Sequence, residues 1–144
     1  MPHHEITVID ESDVFVSNVT KLYGWYIIPP DEKHLFEIAK KKGKDEVPKI
    51  YRVRLYYRIE WKAVGSGRAE IEVVDTYGKE KKVADVTVSD SNKVAEDEID
   101  ITDEFLGPGT CFGLNALRVW LYPSEFWGYG EYAVKVVVKV SWGW

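Results

Sequence analysis

Hydrophobic and polar residues alternate along most of the chain, in the period of two that is typical of β-strands. The longest alternating segment runs from Ile50 to Val64. Its apolar face is predicted to carry Tyr51, Val53, Leu55, Tyr57, Ile59, Trp61 and Ala63. The residues between them are mainly arginine, glutamate and lysine, so the pattern predicts a sheet with one face on a core and the other in water.

Shorter alternating segments predict further strands, which turn-forming residues separate about every ten positions. These segments cover residues 6–10, 14–19, 68–75, 83–89, 94–101, 114–122 and 132–142. Glu11-Ser12-Asp13 predicts a turn between the first two. Gly65-Ser66-Gly67 predicts a hairpin, in which Glu70 and Glu72 would pair with arginines of the preceding strand.

Residues 31–42 depart from this pattern and predict one short helix. Its apolar residues have helical spacing: Leu35, Phe36, Ile38 and Ala39. Asp31 is placed to cap the N-terminus, and Gly43 is placed to end the helix. We expect this helix to cover a sheet or one end of the fold.

Together these elements predict an all-β fold, a two-sheet antiparallel β-sandwich of jelly-roll type with about eight strands and the one inserted helix. A closed β-barrel is the alternative arrangement of the same strands. The 144 residues fit a single domain, since neither an internal repeat nor a low-complexity linker interrupts them.

The charge balance and the distribution of apolar residues limit the partners and the cellular location that we expect. Twenty-four acidic and 19 basic residues give a net charge of −5, which disfavours nucleic acid as a partner. Residues 1–10 lack the apolar segment of a signal peptide, and no apolar run has the length of a membrane helix. Cys111 is the single cysteine, so a buried thiol is expected rather than a disulfide. We therefore expect a cytoplasmic protein with no membrane partner.

Residue usage also points to a hot habitat. The chain has no glutamine, three asparagines and no methionine after Met1, whereas lysine and glutamate are abundant. Depletion of heat-labile residues together with enrichment in lysine and glutamate is the hyperthermophile pattern. Chance composition in a short chain is the alternative explanation.

One passage resembles a known family. Residues 98–109 read EIDITDEFLGPG, and residues 114–119 read LNALRV. This order of strand, apolar residue, Pro-Gly turn and strand resembles galactose-binding-like jelly-roll domains, the modules attached to many glycosidases, with residues 110–113 inserted. The resemblance implies that Phe105 or Leu106 plugs the end of a sandwich, that Pro108-Gly109 turns the chain, and that a sugar is the ligand.

The loop of residues 122–130 is the strongest candidate binding site. Its aromatic residues are Tyr122, Phe126, Trp127 and Tyr129, and its glycines permit unusual backbone angles. Aromatic side chains on the loops of a rigid sandwich stack on ligands or anchor protein interfaces. The favoured alternative for Phe126 and Trp127 is that they fold back to cap the end of the sandwich. Tyr129 is expected to be the most exposed.

Trp142 and Trp144 form a second aromatic candidate. Trp142 continues the apolar face of the last strand, whereas Trp144 either frays with the C-terminus or marks a contact with another protein.

Two charged segments are further candidates. One is a basic face that could contact nucleic acid, because arginine binds phosphate and tyrosine stacks on bases: Arg52, Arg54, Tyr56 and Arg58. The favoured alternative is a solvated face that Glu70 and Glu72 neutralise. The other is an acidic run whose carboxylates are the ligand type of Ca²⁺: Asp97, Asp100 and Asp103. Its spacing matches no EF-hand loop, so a solvated charged face is the favoured interpretation.

The sequence contains no motif for zinc, dinucleotide or phosphate binding and no nucleophile elbow, so we expect no cofactor. The first hypothesis for function is therefore a non-catalytic module that binds protein or assembles with itself as a homo-oligomer. Carbohydrate binding through residues 122–130 is the second hypothesis. An enzyme of unknown class is the third, and it requires acids or His34 to converge in a cleft.

Overall fold

A computed structural model describes residues 3–24, 32–107 and 113–144 as two β-sheets with two short helices. The strands are β1 (His3–Val16), β2 (Thr20–Tyr23), β3 (Lys49–Trp61), β4 (Ser66–Asp75), β5 (Glu80–Ser89), β6 (Val94–Asp100), β7 (Leu114–Tyr122) and β8 (Gly130–Gly143). The helices are α1 (Glu32–Lys41) and α2 (Thr102–Leu106). Over these ranges, neither helix has the length and apolar character to cross a membrane.

The strands pair antiparallel in two four-stranded sheets. The first sheet has the order β1-β8-β3-β6, and the second has the order β2-β7-β4-β5. Successive strands lie in opposite sheets, except that β4 and β5 form a hairpin. Neither sheet closes on itself within the described residues, so the chain has the predicted jelly-roll-like sandwich and not the alternative barrel.

The predicted hairpin at Gly65-Ser66-Gly67 is wrong. The chain crosses here from β3 in the first sheet to β4 in the second. Glycine and serine permit a tight change of direction in both kinds of connection, so these residues do not distinguish a hairpin from a crossover. Glu70 and Glu72 consequently form their ion pairs within the second sheet, with Arg68, Lys82 and Arg118.

The core lies between the sheets, where the inward side chains of β3, β4, β7 and β8 are buried. Val53 to Trp61 and Tyr132 to Val140 alternate as predicted. Tyr51 breaks the prediction and is exposed. A β-bulge between Ile50 and Arg52 adds one residue to β3 at this point, and Tyr51 therefore turns away from the core.

β1 is one strand where the sequence predicts two. The segment Glu11-Ser12-Asp13 is an irregularity in the pairing with β8, at which β1 carries an extra residue, and not a turn. A second shift, between Thr7 and Ile9, makes Val8 the extra residue. Each shift exchanges the two faces of the strand, so Ile9 is buried although strict alternation from Ile6 would turn it outward.

α1 confirms the predicted helix. Leu35 and Ala39 are buried, whereas Phe36 is exposed. Gly43 has φ +65°, and the N–H groups of Gly43 and Lys44 donate to carbonyls of the last helical turn. This is the Schellman arrangement, in which glycine ends a helix at low steric cost.

α2 closes the sandwich between β6 and β7. Phe105 is fully buried and Leu106 is partly buried, so Phe105 is the apolar plug at this position. Three predictions fall outside the described residues: the Asp31 cap, the Pro108-Gly109 turn and the buried Cys111 thiol.

Candidate functional site at the aromatic end

Four loops meet at one end of the sandwich, which we call the aromatic end: residues 17–19, 62–65, 90–93 and 123–129. In the first sheet, Val16 at the end of β1 pairs with Gly130 at the start of β8. In the second sheet, Arg68 near the start of β4 pairs with Tyr122 at the end of β7. Exposed apolar side chains gather on these loops and strand ends: Phe15, Val19, Val64, Phe126 and Trp127.

A closed turn holds the loop of residues 123–129. The Ser124 N–H donates to the Tyr129 carbonyl (3.0 Å), and the Gly128 N–H donates to the Ser124 carbonyl (2.9 Å). Gly128 has φ +67°, a backbone conformation that favours glycine. Residues 125–127 therefore form the apex of the turn, where Phe126 is 94% exposed.

The neighbouring aromatic rings rest on backbone and on one another. Trp127 lies over Gly65, where a methyl group would be 3.3 Å from the indole Cδ1, and it is still 60% exposed. Tyr129 stacks on Phe15 with 5.6 Å between ring centroids and 14° between ring planes. Phe15, Tyr129, Trp127 and Phe126 thus lie at the same end of the sandwich.

The structure contradicts the interpretation of Phe126 and Trp127 as caps. Both side chains are exposed, and the end of the core is closed instead by Trp61 and Tyr132, whose rings meet edge to face at 5.1 Å. Tyr129, which the sequence predicts to be the most exposed, is less exposed than either because Phe15 covers one face of its ring.

A cleft of about 590 Å³ lies beside the apolar surface, and its walls include Val19, Arg68, Thr87, Tyr122 and Glu125. The Arg68 guanidinium lies 5.2 Å from the centroid of the Tyr122 ring. Asp85 accepts hydrogen bonds from Arg68 Nε and Nη2, both at 2.9 Å. The cleft is therefore lined by the Arg68 guanidinium, which Asp85 and the Tyr122 ring hold in one orientation.

Hydrogen bonds and ion pairs set the protonation states in this cleft. The bidentate bond to Asp85 raises the pKa of Arg68, and the same bond lowers the pKa of Asp85. Tyr122 donates to Glu70 Oε1 (2.8 Å), which lowers the pKa of Glu70 and raises that of Tyr122. Lys82 lies 3.0 Å from the other oxygen of Glu70. Two cations and two carboxylates thus balance one another around neutral pH.

The other two predicted aromatic residues lie at the opposite end of the sandwich. β8 has 14 residues, which places Trp142 and Trp144 about 40 Å from the loop of residues 123–129. Trp144 does not fray, since its Nε1–H donates to the Glu46 carbonyl (2.7 Å) and its ring meets that of Trp142 edge to face. The predicted aromatic residues therefore form two separate groups.

The predicted basic face is an ion-pair ladder between β3 and β6. The pairs join Arg52 to Asp100 (3.3 Å), Arg54 to Glu98 (3.6 Å) and Arg58 to Glu96 (3.7 Å). Tyr56 lies within the ladder and donates to Glu96, which raises the pKa of its phenol. The neutralising acids come from β6, and not from Glu70 and Glu72, because β6 is the strand next to β3.

The acidic run therefore supplies partners to arginines. Asp100 accepts hydrogen bonds from the N–H and the hydroxyl of Thr102 as well as from Arg52. Asp97 accepts from the Glu98 N–H, and Asp103 lies in α2. Across the three described ranges, no group of three or more metal-binding side chains has come together.

The sequence prediction missed Phe15, Val19 and Val64 as parts of the aromatic end. Phe15 had a local signal, since it lies between two inward valines and alternation turns it outward. No local signal indicated that Phe15 would meet Tyr129, because β1 and β8 are brought together only by the complete fold.

Comparisons with known protein families and with curated proteins find no match. Solved structures give distant likenesses. PirA has 12% identity over 97% of this chain and 92% of that chain, with a TM-score of 0.36. The VP2 subviral particle of infectious bursal disease virus has 10% identity over 96% of this chain, with a TM-score of 0.42, and this chain spans about a third (32%) of its length. The Tobacco streak virus coat protein dimer has 14% identity over 98% of this chain and 88% of that chain, with a TM-score of 0.41.

Proposed function

We propose that this chain is a protein-binding module that associates with a second copy of itself through the aromatic end. The observation that carries the proposal is the exposure of Phe126, Trp127 and Phe15 at one end of the sandwich, on or beside a loop that backbone hydrogen bonds close. Monomeric proteins rarely expose a contiguous apolar patch of this kind unless it binds something. Aromatic residues are also the side chains most enriched at the centres of protein interfaces.

The exposed apolar area is at the lower limit for a specific dimer. Phe15, Val64, Phe126 and Trp127 together expose about 600 Å² per copy, since a large aromatic side chain contributes about 150–250 Å² when fully accessible. Complete burial of these side chains in both copies removes about 1,200 Å² from water, which is the lower limit for a specific interface.

The edges of the two sheets are poorly suited to association by strand pairing. β1 carries two register shifts along its pairing with β8, and β5 carries an extra residue at Val83. β2 has only four residues, and β6 presents a row of acids. Bulges, short strands and charges are the devices that keep sheet edges from pairing. Association at the end of the sandwich does not meet these obstacles.

Carbohydrate binding by the same rings receives less support. Sugar recognition needs polar groups that remain available to hydroxyls, beside a ring for stacking. At the cleft, the Arg68 side chain is engaged with Asp85 and Glu70, and the Tyr122 hydroxyl is engaged with Glu70.

Sedimentation velocity over a range of protein concentrations tests the proposal. We expect the wild-type protein to dimerise reversibly, and Phe126→Ala with Trp127→Ala to weaken the dimer at least about 100-fold, since interface hot spots cost about 2 kcal/mol or more each. Tyr77→Ala is the control, because Tyr77 is 64% exposed, close to the 60% of Trp127, but lies on the β4–β5 turn at the opposite end.

A wild-type protein that stays monomeric at about 1 mM, where even weak self-association is visible, contradicts the proposal. If that monomer binds a glycan on an array and Trp127→Ala abolishes the binding, carbohydrate recognition replaces self-association as the function of the aromatic end.

A further inference from the structure

The geometry points to a knob-and-cleft contact: we infer that Phe126 of one copy inserts into the cleft at Arg68 and Tyr122 of a second copy. This inference rests on the proposed self-association and specifies how the two copies meet. It names an aromatic ring as the occupant of the cleft, and Phe126 as the residue that supplies it.

Arg68 is arranged to accept a ring. Its Nε and Nη2 groups are held by Asp85, with two bonds of 2.9 Å, and Nη2 also lies 3.0 Å from Glu70. Its Cζ atom lies over the Tyr122 ring, 5.2 Å from the centroid. The side chain is nevertheless 47% exposed and lines the cleft, so part of its guanidinium remains accessible to a ring from a second copy. A fixed guanidinium plane stacks on aromatic rings and discriminates them from aliphatic side chains.

Phe126 is arranged to supply that ring. It projects from the apex of the 124–129 turn with 94% of its surface exposed, and the cleft of about 590 Å³ is large enough for a phenyl group. Glu125, which precedes Phe126 at the apex, and Gly128, which follows the apex, themselves line the cleft. Knob and cleft are therefore adjacent on one molecule.

In a dimer with a two-fold axis through the aromatic end, Phe126 and the cleft of each copy both take part. In an isologous dimer the same patch serves both copies, so each Phe126 faces the cleft of the other copy. The two contacts lie on either side of the axis, and the remaining apolar side chains of the aromatic end cover the space between them.

Two variants and their mixture test the contact. Phe126→Ala removes the knob and leaves the cleft, whereas Thr87→Trp fills the cleft and leaves the knob. Thr87 is exposed and pairs with Arg68 across β4 and β5, so an indole at this position lies over the guanidinium and suits a strand. We expect each variant alone to weaken the dimer at least tenfold in sedimentation velocity. We expect an equimolar mixture to form a heterodimer, because it retains one intact contact.

The outcomes separate the inference from the proposed function. If the wild-type protein does not dimerise, both fail. If it dimerises and Phe126→Ala weakens the dimer while Thr87→Trp does not, or if the mixture forms no heterodimer, self-association stands and the cleft contact is wrong. Far-ultraviolet circular dichroism and thermal melting of Thr87→Trp verify its fold. If it does not fold, Arg68→Met replaces it, with the same expected loss of dimer and the same mixing experiment.

Discussion

Two glycines bring the backbone close to the large side chains that close the core at the aromatic end. A methyl group at Gly67 would lie 2.3 Å from Tyr132 Oη and 2.4 Å from Trp61 Cζ3. At Gly130 the nearest atoms, from the same two rings, are 3.0 and 3.1 Å away. The Tyr132 hydroxyl accepts from the Arg68 N–H (3.1 Å) and donates to the Tyr122 carbonyl. The rigid base beneath the exposed surface therefore depends on the absence of side chains at these two positions.

We expect Gly67→Ala to lower the free energy of unfolding by about 1–3 kcal/mol, the usual cost of adding volume to a packed site. Tyr132 and Trp61 cannot both withdraw, because both are buried and in contact with each other. Urea denaturation measures the change. Ser66→Ala is the control, since Ser66 is the exposed neighbour and its substitution should change stability by less than about 0.5 kcal/mol. Equal stability of the two variants would show that the rings move apart without cost.

Single residues were predicted unevenly from the sequence. The inward positions of β3 and β8 followed from alternation, because burial of one sheet face imposes a period of two. The exposure of Phe126 did not follow from the sequence. Aromatic residues in loops are found both packed on the core and exposed to water, and the residue type does not distinguish the two. The closed turn at Ser124 and Gly128 places Phe126 at its apex and so exposes it, and the backbone hydrogen bonds of this turn are seen only in the folded structure.

At the scale of elements, charged side chains tie three strands of the first sheet together. Glu98 on β6 lies 3.6 Å from Arg54 on β3 and 3.0 Å from Lys139 on β8. The hydrogen bond from Lys139, followed by the charges of Lys139, Arg54 and Arg52, lowers the pKa of Glu98. A carboxyl group with a lowered pKa in the folded state stabilises the fold above its unfolded pKa, and this stabilisation is lost as the pH falls through the folded pKa.

Glu98→Gln should therefore cost less than about 1 kcal/mol at neutral pH, because the pair is partly exposed and screened by water. It should also make stability less sensitive to acid below the ordinary pKa of glutamate. Urea midpoints measured from neutral pH down into the acid range give the comparison. Asp97→Asn on the same strand is the matched charge control. If wild type and Glu98→Gln lose stability in parallel on acidification, the Lys139 pair does not persist in solution.

The elements themselves were predicted more reliably than their connections. β7 begins and ends at Leu114 and Tyr122, as alternation indicated, and α1 covers residues 32–41 within the predicted 31–42. The link from β3 to β4 was misassigned because strand pairing across sheets depends on partners far along the chain, which local turn chemistry does not report. The shifts in β1 were equally invisible, since a bulge adds one residue without any required residue type.

At the scale of the whole molecule, aromatic residues occur at both ends of the sandwich, and the ends differ in what those residues do. At the aromatic end, Phe126 and Trp127 are exposed above a core that is already closed. At the opposite end, Trp144 fastens the segment before β3 through Glu46, with Lys44 5.6 Å from its ring. The proposed contact surface is therefore at the aromatic end, whereas Trp144 at the other end bonds within the chain although it is 44% exposed.

The difference between the two ends predicts a closed dimer and not an open filament. An isologous contact uses the aromatic end alone and stops at two copies, whereas a head-to-tail contact joins unlike ends and continues into filaments. We expect Trp144→Ala to lower the free energy of unfolding by about 1 kcal/mol through loss of the bond to Glu46, and to speed hydrogen exchange in residues 44–46. The dimer constant should not change, and no species larger than a dimer should sediment at any concentration. Larger species in the wild-type protein, together with weaker association of Trp144→Ala, would instead place Trp144 in a head-to-tail contact.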